Sequence, residues 1–202
     1  MSIFGVSISH HPQKKWRCLA DPRAPHLNQV MKVWNNKAWM FSGTTKKVFA
    51  FDLVTEKWAN VPTKFAGKSR PYLNKVAEYC MEIFEDVMYV FGGTGRLAEL
   101  GNNVLMALNL RTLIWTHLGG TTNTKATNTM PMLRRFASSR VIPAQKRLYI
   151  LYCNIGRQSA YIAHRPYGNL EDYNYEDMWS YDIPGKSWRR GRIRGNFPAP
   201  PL

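Results

Sequence analysis

Val87 to Phe91 is an apolar run, and the glycines that follow it, in Gly92-Gly93-Thr94-Gly95-Arg96-Leu97-Ala98, have the spacing of a phosphate cradle, G-x-G-x-x-G/A. A cradle of that type needs a helix directly after Gly95 and an acidic residue about 20 positions on, at the end of a second strand. Trp115 stands there instead. The glycines therefore read as backbone features, since a residue without Cβ lets a strand end bulge or another backbone come close.

The other residues capable of chemistry are scattered. His10, His11, His26, His117 and His164 share no metal-ligand spacing with Cys, Asp or Glu, and none pairs with a nucleophile motif. His10-His11 before Pro12 reads as a solvated turn. Cys18, Cys80 and Cys153 are too far apart for a zinc knuckle and odd in number, which suits reduced, mostly buried thiols in an intracellular protein, cytoplasmic or nuclear. Glu171-Asp172-Tyr173-Asn174-Tyr175-Glu176-Asp177 brings carboxylates together without anything to bury them, so it reads as a solvated loop. No catalytic residue, metal or cofactor is assigned. The arginine-rich run Arg189 to Gly195 resembles segments that bind single strands, but after Trp188 it also suits an outermost strand whose cations discourage edge pairing. A net charge of +15 favours acidic partners, whether an acidic protein segment or, as the weaker option, nucleic acid. No apolar run approaches the length of a bilayer span, and the N-terminus lacks the pattern of a secretory signal.

The elements that would position these residues follow from a repeat. Phe51-Asp52-Leu53-x4-Trp58, Leu108-Asn109-Leu110-x4-Trp115 and Tyr181-Asp182-Ile183-x4-Trp188 share one spacing. Ahead of each lies an apolar run (38–43, 88–93, 148–153) and, earlier still, a weaker strand-like run (29–34, 79–84, 136–142). Alternation over short stretches between turn residues such as Asn35-Asn36, Glu85-Asp86 and Pro184-Gly185 predicts four antiparallel strands per repeat. Lys14-Lys15-Trp16-Arg17 extends the pattern backwards.

These residues resemble the kelch repeat, in which paired glycines close the second strand and a Tyr and a Trp face each other across strands three and four. Gly92-Gly93 matches in full with Leu108 in the Tyr place, Ser42-Gly43 in part with Phe51, and the third repeat keeps Tyr181 and Trp188 but has Tyr152-Cys153 for the glycines. The resemblance implies an all-β fold of propeller blades within a single domain, 1–202. Residues 4–19 would be the last strands of a preceding blade, 26–63, 72–120 and 132–195 three blades, and 196–202 the start of another or a tail. Propellers close with four to eight blades, so an open arc is expected, either a piece of a longer propeller or a shortened relative, with end faces liable to self-associate.

By the same resemblance the function is non-catalytic protein binding. Kelch propellers also serve as enzymes, as metal-dependent oxidases or specifier-type lyases, and the basic surface keeps RNA binding as a third option. Strand parity gathers the loops 62–72, 94–102, 119–134 and 154–177 on one rim. There Arg96, Arg134, Arg135, Tyr161, Arg165, Tyr167, Tyr173 and Tyr175 form an expected docking surface of the Tyr and Arg type favoured at interfaces.

Overall fold

The computed structural model describes residues 30–43, 45–67, 76–94, 102–121, 129–155 and 173–191, and for 153–155 and 173–176 the backbone alone. The first sheet runs in chain order: β1 (Met31–Trp34), β2 (Lys37–Ser42), β3 (Lys47–Asp52) and β4 (Lys57–Val61). In the second, β6 (Cys80–Phe84), β7 (Val87–Phe91), β8 (Leu105–Asn109) and β9 (Ile114–Gly119) are joined at the outer edge by the short β5 (Lys64–Phe65). The third contains β10 (Ser138–Ile142), β11 (Arg147–Ile155), β12 (Tyr173–Asp182) and β13 (Ser187–Arg190). All pairings are antiparallel except β5 with β9. The first strand of the middle sheet, β6, packs between β1 and β10. Among the described residues the result is an all-β, open arrangement of three propeller-like blades, with no closed barrel.

Three matching sets of local contacts make the blades alike. Phe51 lies opposite Trp58, Leu108 opposite Trp115 and Tyr181 opposite Trp188 in cross-strand register. The two aromatic pairs meet at centroid distances of 5.1 Å and 5.0 Å. The Asp or Asn of each repeat turns the chain. The Asp52 carboxylate accepts from the Val54 and Thr55 amides at 3.0 and 2.8 Å, and Asn109 Oδ1 accepts from Arg111 and Thr112 at 2.9 and 2.8 Å. These amide bonds hold the Asp52 carboxyl below its ordinary range. Two residues before each Trp the backbone is left-handed: φ is 56° at Glu56, 59° at Leu113 and 49° at Lys186. The amides of Leu53, Leu110 and Ile183 then donate to Asn36, Asp86 and Lys146, tying the outer turn of each blade to its inner one.

Alternation gives each sheet two faces, and the faces nest. Trp39, Phe41, Val48 and Ala50 of the first blade pack on Met81, Met88, Met106 and Trp115 of the second. The other face of the second blade, with Tyr89, Phe91 and Leu105, receives Leu148, Ile150 and Tyr181 of the third. The tryptophan thus sits on the face that turns toward the preceding blade: Trp115 meets Phe41 at 5.4 Å and Trp188 meets Phe91 at 5.2 Å.

Glycine is needed where linkers cross strand ends. Gly92 has φ 70°, and a Cβ there would lie 2.8 Å from the Arg134 carbonyl oxygen. A Cβ on Gly43 would collide with the Val76 carbonyl. Val76 and Arg134 both stand four residues ahead of the next blade's first strand, so the same crossing occurs twice. The third blade lacks the glycines yet keeps the geometry: Tyr152 takes φ 44° at a bulge between Leu151 and Cys153.

Three expectations need correction or lie elsewhere. The middle blade has a fifth strand, because Lys64 and Ala66 donate to the carbonyls of Leu113 and Trp115. The loop expected over 154–177 is shorter, because β11 and β12 continue past the bulge with Ile155 opposite Tyr173 and Cys153 opposite Tyr175. Trp16, the half-blade 4–19 and the segment 196–202 fall outside the described residues.

Gly92→Ala should destabilise the chain by at least about 2 kcal/mol, left-handed strain plus displacement of the Arg134 carbonyl. Gly67→Ala, at φ 84° but with nothing within 4 Å, should cost about 1 kcal/mol. Urea unfolding of the two variants beside the parent checks the difference.

Candidate docking surface

The described parts of the expected docking rim converge around a polar corner. Isolated bridges join Ala77 to Thr94 and Asn102 to Arg134, so linkers and inter-strand loops meet on one side of the blades. The Asn102 side-chain amide donates to the carbonyls of Gly92 and Gly93 at 3.0 and 2.8 Å, and its oxygen accepts from the Val104 amide. Backbone bonds run from Gly93 N to Arg134 O and from Arg134 N to Asn102 O.

Arg134 does not serve as a docking side chain. It is fully buried, donates to both Asp177 oxygens at 2.9 and 3.2 Å, and donates from Nε to the Met132 carbonyl at 3.0 Å. The Trp179 indole donates to the same carboxylate at 2.7 Å. A bidentate guanidinium–carboxylate pair of this kind fixes geometry, and leaving one partner buried without the other is costly. Asp177 correspondingly leaves the solvated loop to which its acidic neighbours assigned it. Two facts hidden from the sequence explain the corrections: β12 starts early enough to carry Asp177 inward, and the linker backbone lies across Gly92.

Arg135 remains partly accessible, paired at 3.6 Å with Glu78 and set over the Phe136 ring. Phe136 is 53% exposed. Tyr173 and Tyr175 belong to β12, while Arg96, Tyr161, Arg165 and Tyr167 lie outside the described residues.

Elsewhere, polar chemistry is absorbed between blades. Glu82 is buried, bonded to Lys32 Nζ at 2.8 Å and to the Ser139 hydroxyl at 3.0 Å, so one carboxylate links the first strands of all three blades. Burial pushes the Cys80 thiol up to about 12 and the Tyr89 phenol up to about 12. Such a thiol is inert rather than nucleophilic. Among the described residues no group of three His, Cys, Asp or Glu side chains could hold a metal ion. An open cleft of about 970 Å³ lies between the first and second blades, with Trp34, Trp39 and Ala50 on its walls and Lys37, Lys57 and Arg111 at its margin.

The third blade turns a different face outward. Arg140, Tyr149, Ser180 and Arg189 lie side by side across β10 to β13. Arg140 and Arg189 are exposed and Tyr149 is half-buried. Neither Arg140 nor Tyr149 figured among the expected site residues. The signal was present in the alternation of Arg147 and Tyr149 with Leu148 and Ile150, which puts the polar members on the face away from the second blade.

Among the described residues the fold and this surface define an all-β, propeller-like chain whose third blade carries exposed arginines. No family model matches the chain, and no curated protein matches it. Among the described residues no helix is long and apolar enough to cross a membrane.

Two measurements test this corner and the core behind it. Arg134→Met and Asp177→Asn should each destabilise by about 3–5 kcal/mol, and the double variant by clearly less than the sum, read from denaturant midpoints in a double-mutant cycle. Folding favours the protonated Cys80 thiol, so its stabilisation is complete below the ordinary value of 9.0 and is lost as pH rises toward about 12. Cys80→Ala should therefore flatten the alkaline loss of stability by about one proton's worth of slope, measured by urea unfolding between about pH 8 and pH 10.5.

Proposed function

We propose that this chain is a kelch-type propeller scaffold that acts inside the cell by holding an acidic protein partner, without chemistry of its own. What supports the reading is the threefold recurrence of one blade. The Asp or Asn turn, the left-handed residue after it and the cross-strand Trp recur at each step, and the Trp stands where the resemblance to kelch repeats puts it. Within that framework Arg134, Asp177, Glu82 and Cys80 are bound up in packing, and among the described residues the exposed charges lie outside that role and are suited to recognising a partner. With +15 net charge, the preferred partner is acidic.

Immobilised chain should retain a labelled peptide rich in Asp and Glu far better than one with Asn and Gln in their places. Retention should fall about tenfold or more between 50 mM and 300 mM salt, as surface charges become screened. Equal retention of the two peptides rejects the charge-based reading. A stoichiometric metal with turnover of a small substrate would replace the scaffold with a kelch-propeller enzyme.

A further inference from the structure

The middle blade shows what its outer edge is built to accept. β5 lies parallel to β9, with Lys64 opposite Ile114 and Phe65 opposite Trp115. Lys64 N donates to Leu113 O and Ala66 N to Trp115 O, both at 2.9 Å. The Phe65 ring stacks on the Trp115 indole at 6.4 Å and 16°, and the indole N–H donates to the Thr63 hydroxyl at 3.2 Å. Together with Phe41 of the first blade, these few residues leave Trp115 only 1% exposed.

The third blade carries the same edge without that strand. By register, Lys186, Ser187 and Trp188 correspond to Leu113, Ile114 and Trp115. Lys186 repeats the left-handed backbone of Leu113, and Trp188 is only half-buried. The described residues directly after β9 bond within the second blade rather than to β13. After β9 the Thr121 amide donates to Asn103 Oδ1 at 2.9 Å, and the Gly120 carbonyl contacts His117 Nε2. Among the described residues nothing pairs with the outer edge of β13. Beyond Trp188, the edge is bordered by exposed Arg189 and Arg190.

We propose that β13 is a strand-addition site for an extended acidic segment of a partner protein that carries one aromatic residue. The proposal rests on the scaffold reading and gives it an address. The incoming strand runs parallel to β13, and its pattern follows from 63–66. A Ser or Thr accepts from the Trp188 indole, as Thr63 does from Trp115. The next residue donates its amide to Lys186 O. The aromatic residue covers Trp188, and the one after it donates to Trp188 O. Acidic side chains on either side of the aromatic residue fall on the sheet face of Ser187 and Arg189, and a further one faces Arg190. Main-chain bonds supply affinity and the alternate side chains supply selectivity. The cations that deter pairing with a neutral edge become the attraction for an acidic one.

The test uses the full chain and the fluorescein-labelled peptide Ser-Thr-Glu-Phe-Glu-Asp-Gly, followed by anisotropy at 50 mM salt. N-methylation of the amide of the Glu before Phe, or of the Glu after it, should weaken binding at least tenfold. N-methylation of the Phe amide, which points away from β13, should change it less than about twofold. Arg189→Glu with Arg190→Glu should also cost at least tenfold. If that variant fails to fold by circular dichroism, the N-methyl series decides alone, since it needs no altered protein. Equal loss at all three amides, or no loss at any, overturns the proposal. Binding that ignores the Arg189 and Arg190 reversal in a folded variant but disappears with Arg135→Glu also overturns it, while leaving the scaffold reading intact. Failure of every acidic peptide to bind removes both. A ten-residue oligouridylate that binds more tightly and displaces the peptide assigns the edge to nucleic acid instead.

Discussion

The passage of a linker backbone across the end of the preceding blade's second strand is the constraint on which the arrangement rests. At Gly92 the Arg134 carbonyl comes so near that no side chain fits, and the Val76 carbonyl does the same at Gly43. With the linker in that groove, the first strands line up so that β6 lies between β1 and β10. The apolar faces are brought together by the same placement. Hydrophobic burial holds the blades against each other, but the crossing decides how close they come and at what offset.

Most of the blade was legible because its signals are local. A short polar side chain at a turn and a tryptophan across from an aromatic or leucine act within a single hairpin, so their spacing survives in the sequence, whereas the left-handed backbone at Glu56, Leu113 and Lys186 leaves no common residue type to read. Gly92 and Gly93 were legible for the same reason, as residues permitting a close approach. Tyr152 shows the limit. A tyrosine gives no hint of φ 44°, and the geometry persists there because the bulge and the surrounding ladder impose it.

The candidate surface was less legible, since charge does not announce its surroundings. Arg134 and Arg135 are adjacent and chemically identical, yet one is buried against Asp177 and the other borders Glu78 and Phe136. What separates them is a carboxylate 43 positions away in sequence, beyond any local pattern. β5 escaped notice because two residues carry no periodicity. Arg140 and Tyr149 gain meaning only once the third blade is known to turn that face away from its neighbour.

The Arg134–Asp177 pair also bears on how the arc comes apart. The guanidinium rises from the strip of chain lying over the second blade, while its counter-ion hangs from the third. Peeling away the third blade alone would take its carboxylate from the Arg134 guanidinium and loosen the crossing that locks its neighbour. Stacked repeats with purely apolar contacts can fray one unit at a time. Here an ionic rivet couples two of them, so their loss is expected as one cooperative event rather than a sequence of separate meltings.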